Sequence, residues 1–205
     1  MESYHFAMIL LGWLLAAATP GPATLAISST AMAHGRKAGL SIASGVLLGS
    51  ATIGFASAAG MSAIMIANAW LFEVVRYIGA AYLLYLAFKS LRSALNPVPL
   101  SVQSAPSKNF FIKGLLIHLT NPKAVFAWGS IYALILPSDA GYLAIFETYL
   151  VLLSIGALVF IGYGFLFSIP AIAGGYASLK RWFELAFAVL FGGASLKLLT
   201  AKIEV

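Results

Sequence analysis

Cysteine is missing from this 205-residue chain, which removes disulfides, thiol redox chemistry and thiolate metal sites. Charge is scarce as well: 9% of residues are charged against 61% hydrophobic. No soluble domain has that balance, because apolar runs near the ~20 residues of a spanning helix recur along the whole length. Aspartate occurs only at Asp139, so intramembrane aspartyl chemistry lacks its second carboxylate. There is no HExxH pattern, His5, His34 and His118 are scattered, and no GxSxG elbow supports a serine nucleophile. With so few acids inside the apolar runs, a path for metal cations lacks ligands. The expectation is a protein that is not an enzyme and carries neither cofactor nor metal. The net charge of +6 is spread over loops and reads as topology information rather than as a nucleic-acid surface.

What is present is a series of apolar runs. Six spans are expected, at 6–33, 38–67, 70–88, 110–136, 142–169 and 182–200, in one polytopic domain over residues 1–205. The first run is too long for a cleavable signal peptide and lacks a basic start. Between spans three and four lies the one long polar stretch, 89–109, with Pro97, Pro99 and Pro106; it reads as a loop. Arg36, Lys37, Lys89, Arg92, Lys108, Lys113, Lys180 and Arg181 all fall on one side, and the other side keeps Lys202, Arg76 and a snorkelling Lys197. The positive-inside rule then places the basic loops in the cytoplasm and both termini outside. A five-span alternative, with one run re-entrant, would put the termini on opposite sides.

Two of the runs are interrupted. Thr19-Pro20-Gly21-Pro22 breaks the first and Thr120-Asn121-Pro122-Lys123 the fourth. Proline and glycine destroy the helical ladder where no water can replace it, so such a break survives only if buried in protein or lining a polar cavity. Matching interruptions in two halves of a membrane chain point to a transporter's binding site. Gly79-Ala80-Ala81-Tyr82-Leu83-Leu84-Tyr85 also matches Gly192-Gly193-Ala194-Ser195-Leu196-Lys197-Leu198. A three-span repeat used twice (about 1–90 and 110–205) must be inverted, because three is odd. The expected fold is therefore an all-α membrane protein of two inverted three-helix repeats.

Asn121 is a favoured N-cap and Pro122 a favoured first helical residue, so a new half-helix starts inside the membrane; Gly21-Pro22 plays the same part in the first repeat. Each start exposes N–H groups and the positive end of a dipole, and together they favour an anion such as a carboxylate. Lys123 is costly at membrane depth and needs a partner. Three candidates exist: a substrate carboxylate, helix-end carbonyls, or Glu147. Glu147 and His118 are also the candidate proton carriers, each with a plainer reading, an outer-interface acid for Glu147 and a neutral buried ring bonded to freed backbone for His118. Thr19 and Thr120 are expected to satisfy loosened carbonyls. Gly45 and Gly49 form a GxxxG pair in span two, read as internal packing or, more sharply, as a homodimer seam.

Pro20-Gly21-Pro22, the Gly35-Arg36-Lys37-Ala38-Gly39 turn, Gly79-Ala80-Ala81-Tyr82-Leu83 and Thr120-Asn121-Pro122-Lys123-Ala124, in this order over essentially the whole chain, resemble the LysE/RhtB family of amino-acid exporters. The resemblance implies export of amino acids or related small metabolites from a bacterial cytoplasm across the inner membrane, driven by the proton gradient. Substrate, protons and membrane lipid are then the partners. Members of that family often carry Asn or Asp directly after the Pro-Gly-Pro, where this chain has Ala23. A passive small-solute channel is the alternative.

Overall fold

Prolines and glycines cut an otherwise continuously helical chain into its elements. The computed structural model describes residues 3–67, 69–96, 109–136 and 140–200. Among these every regular element is a helix: α1 Ser3–Ala18, α2 Pro22–Ala67, α3 Ala69–Leu95, α4 Phe110–Leu119, α5 Pro122–Ile135, α6 Tyr142–Leu166 and α7 Pro170–Thr200. Helix α2 is two arms joined at Gly35, whose φ of 78° lies in the left-handed region that favours glycine. The prolines Pro22, Pro122 and Pro170 each stand at the first helical position, where the missing N–H costs nothing.

The two expected breaks are both present, one between α1 and α2 and one between α4 and α5. Two boundaries need correction. The polar stretch beginning at Lys89 is helical as far as Leu95, since nothing in it stops a helix before Pro97. Helix α7 starts at Pro170 rather than at residue 182, because Pro170 launches a helix that the Gly174-Gly175 pair does not end. The prolines of the 97–108 stretch, Lys108, Asp139 and Lys202, and the side chains of Arg76, Lys180 and Lys197, lie outside the described residues.

The stretches Pro22–Gly60 and Tyr142–Leu166 are long and apolar enough to cross a membrane. Burial runs the opposite way from that of a soluble domain. Phe55, Phe88, Leu143 and Trp182 are exposed, while Thr30, Ser50, His118, Asn121, Glu184 and Ser195 are buried.

Close contact through small residues assembles the bundle. Helix α2 packs most extensively against α4 and α6, and α3 against α7. A Cβ on Gly45 would run into the Phe111 carbonyl, one on Gly114 into the Ile42 carbonyl, and one on Gly49 would lie 2.9 Å from His118 Cβ. Gly39 and Gly164 meet backbone to backbone in the same way. The Gly45–Gly49 face is thus filled by α4 of the same chain. It is internal packing, and any homodimer seam must use another face.

Directions follow from the contacts. Trp13 Nε1 donates to the Leu152 carbonyl and the Tyr163 hydroxyl to the Ala18 carbonyl, so α1 runs parallel to α6. Trp128 Nε1 reaches Ser50 Oγ and the Tyr132 hydroxyl the Gly54 carbonyl, so the long arm of α2 runs parallel to α4–α5. Ser195 Oγ donates to the Ala80 carbonyl and Ser93 Oγ to Glu184 Oε1, so α3 and α7 are antiparallel. Each broken helix therefore lies alongside the second long helix of the other half. At one end of the bundle Arg36 lies over the Phe165 ring at 4.2 Å and reaches Ser168 Oγ, while His34 packs on Phe110. The three connections at residues 34–37, before 110 and at 165–169 share that end.

Candidate functional site

The first break releases carbonyls at the end of α1, and those of Leu15, Ala16, Ala18 and Thr19 find donors. Thr19 Oγ1 donates to the Leu15 carbonyl at 2.9 Å and Thr19 N to the Ala16 carbonyl at 3.3 Å. The Tyr163 hydroxyl donates to the Ala18 carbonyl at 2.6 Å. The Thr19 carbonyl accepts from Thr24 Oγ1 at 3.2 Å and from Lys123 Nζ at 3.1 Å. Gly21 is where the lysine passes: a Cβ there would stand 3.5 Å from both Lys123 Cδ and Nζ.

The second break closes on itself. Thr120 Oγ1 and N both donate to the Leu116 carbonyl, at 2.8 and 3.0 Å, and Asn121 N to the His118 carbonyl at 3.0 Å. Asn121 Oδ1 caps α5 by accepting from Lys123 N at 3.1 Å. The expected anion cradle is consequently less open than two free helix starts would be. Gly21 N already bonds Thr24 Oγ1, and Lys123 N and Ala124 N bond Asn121. What the two starts retain is their positive dipole ends and the ammonium of Lys123.

Of the three partners open to Lys123, this conformation uses helix-end carbonyls. The ammonium sits on the Thr19 carbonyl, at the negative end of the α1 dipole. The charged groups acting on it from outside its own helix are Glu184 of α7 and Lys89 of α3. Glu147 is exposed on α6 and lines neither cavity described here.

A cavity of about 50 Å³ lies between the breaks, walled by Thr19, Gly21, Asn121, Lys123, His118 and Trp128 among others. It is small beside the ~300 Å³ at which small-molecule sites usually begin. Thr19 and Asn121 are buried and Lys123 is half-buried, whereas Pro22 and Thr120 are exposed. Thr19, Gly21, Asn121 and Lys123 of the expected cluster line the cavity, while Pro22, Thr120 and the likewise exposed Pro122 lie on its outer side. His118 is 4% exposed and neither ring nitrogen has a hydrogen-bond partner; Phe160 packs edge-on to the ring at 5.5 Å. The ring is therefore not bonded to backbone freed by the break. Leaving such a group unpaired costs about 1–3 kcal/mol, a cost that a ligand making a hydrogen bond to the ring would offset.

Glu184 was not singled out from the sequence. It is 4% exposed and accepts from Ser93 Oγ at 3.0 Å. The signal was available: an acid inside the 182–200 run is as costly as Lys123, and the same rule applies to both.

A LysE type translocator family profile matches residues 14–202. The threonine efflux protein of Escherichia coli (strain K12) is 28% identical over 203 residues, 96% of this chain and 98% of that protein. The leucine efflux protein of Enterobacter sp. (strain 638) is 35% identical over 134 residues, 62% of each chain. An uncharacterized membrane protein of Escherichia coli (strain K12), YahN, is 29% identical over 205 residues, 97% of this chain and 91% of that one. No solved structure matches.

Proposed function

The chain belongs to the LysE type translocators, membrane transporters rather than enzymes, and from that premise we propose that it exports amino acids from the bacterial cytoplasm by proton antiport. The site is the pair of breaks, residues 19–22 and 120–123. The observation that carries the reading is the bond from Lys123 Nζ to the Thr19 carbonyl, which joins the two breaks beside the small cavity. A substrate carboxylate takes over the lysine, and the released α1 carbonyls then receive the substrate ammonium. Binding thereby exchanges one internal bond for two bonds to the solute, a differential contact of the kind that can shift a conformational equilibrium.

The architecture proposed is six spans in two inverted repeats, with the termini outside and alternating access around the breaks. The reciprocal packing of each broken helix against the other half supports it, as does the end of the bundle shared by the connections, where Arg36 and Lys37 stand. His118 is the proposed proton carrier within the cavity. Buried Glu184 joins it as a second titratable group, ahead of the exposed Glu147.

The test is efflux from proteoliposomes loaded with radiolabelled leucine or threonine, with and without an imposed proton gradient. Efflux that follows the gradient and collapses with a protonophore is expected. Flux indifferent to the gradient would leave a passive pore, and no flux of any amino acid would remove the export reading.

A further inference from the structure

A second, larger cavity adjoins the breaks. It measures about 340 Å³ and lies between α1, α3, α5 and α7, within the size range of small-molecule sites. Its wall is apolar, with Ile9, Leu83, Leu86, Ile131, Leu134 and Phe191 prominent. Trp13, Ala16, Lys123 and Ala127 line both cavities. They form a waist between the two spaces, at which two of the four side chains are single methyl groups and the third is Lys123.

The few polar side chains on the larger wall are already committed. Ser130 Oγ donates to the Phe126 carbonyl at 2.7 Å and Trp13 Nε1 to the Leu152 carbonyl at 2.9 Å. Among the described lining residues no carboxylate faces the space. A side-chain ammonium placed there would be a buried, unpaired charge, and a hydroxyl would find few partners. Gly12 and Gly193 stand in the wall with nothing within 4 Å of a Cβ built on either. Both positions have room for a side chain, Gly12 half-buried on α1 and Gly193 exposed on α7.

We propose that this cavity receives the side chain of the exported amino acid and selects for large apolar ones, of the leucine, methionine and phenylalanine kind. Threonine and lysine are discriminated against. The inference rests on the amino-acid export reading above and narrows its substrate class. Lys123 fixes the carboxylate end, and the waist sets the point where the α-carbon crosses. Apolar burial then supplies the discrimination, for which one methylene in a hydrophobic pocket gives about 10–200-fold.

The test compares efflux of radiolabelled leucine, phenylalanine, alanine, threonine and lysine from proteoliposomes containing the full chain. Leucine and phenylalanine are expected to leave with kcat/KM at least about tenfold above threonine, with lysine slower still. Gly12→Val and Gly193→Val, on different helices, fill the volume from two sides, and each should lower the leucine-to-alanine ratio about tenfold. Threonine or lysine exported as well as leucine would overturn the assignment while leaving amino-acid export standing. So would a leucine-to-alanine ratio unmoved by both fillings, the result expected if a lipid chain occupies the cavity instead. Absence of flux for all five would sink the export reading itself, and this inference with it.

Discussion

The two breaks have nearly the same ingredients and solve the same problem in opposite ways. Each has a threonine bonding back to the carbonyl four residues earlier, Thr19 to Leu15 and Thr120 to Leu116, and a proline opening the next helix. The second break then satisfies itself through Asn121. The first is completed from elsewhere, by Tyr163 of α6 and Lys123 of α5. The difference teaches which break can respond. Groups held by their own neighbours keep their geometry when helices shift, whereas groups held by remote elements change when those elements move. In this comparison the second break is a rigid mount that presents Lys123, and the first is the part whose bonding reports the position of the other half.

The sharpest way to break the comparison is Lys123→Ala. It removes the one described side-chain bond that joins the breaks, so efflux should fall at least about a hundredfold while the protein still reaches the membrane. Wild-type efflux at normal membrane abundance would show that the two breaks work without each other. Pro122→Ala should come next. It lets the fourth run continue as helix through the break and moves Lys123 off the Thr19 carbonyl, with turnover down about tenfold or more. An unchanged rate would mean that the mount need not be broken at all.

Tyr163→Phe takes away only the hydroxyl that satisfies the Ala18 carbonyl, a loss of about 1–3 kcal/mol at a part-buried group. Its effect on efflux should exceed that of Thr120→Val, whose hydroxyl bonds within its own helix and is exposed. Thr120→Val should alter thermal stability in detergent by no more than about 0.5 kcal/mol. If the ranking of these two came out reversed, the division into a self-contained and a dependent break would be wrong.

The breaks themselves were legible in the chain because proline and glycine act on the backbone next to them. The start of α5, with its asparagine cap and the proline after it, was equally local. The partner of Lys123 was not, because the Thr19 carbonyl is 104 positions away and three partners fitted the sequence equally well. Gly45 and Gly49 announced a close approach without saying whose helix would make it; the answer is α4 of the same chain. The ends of α3 and α7 were misread for a simpler reason. Polarity after Lys89 reads as a loop, and the hydrophobic run that marks the last span begins only near residue 182. A helix packed along its length on a partner nevertheless tolerates polar residues and paired glycines alike.

The contact between Lys123 and the Thr19 carbonyl bears on leak as well as on binding. With its charge placed against a peptide oxygen, the lysine is not a bare cation held out to passing ions. A visitor must outbid that oxygen, and a carboxylate brings to the contest a full negative charge that a neutral sugar or a simple ammonium lacks. Under the export reading, the same short contact that helps to choose the cargo also turns away solutes that cannot displace it.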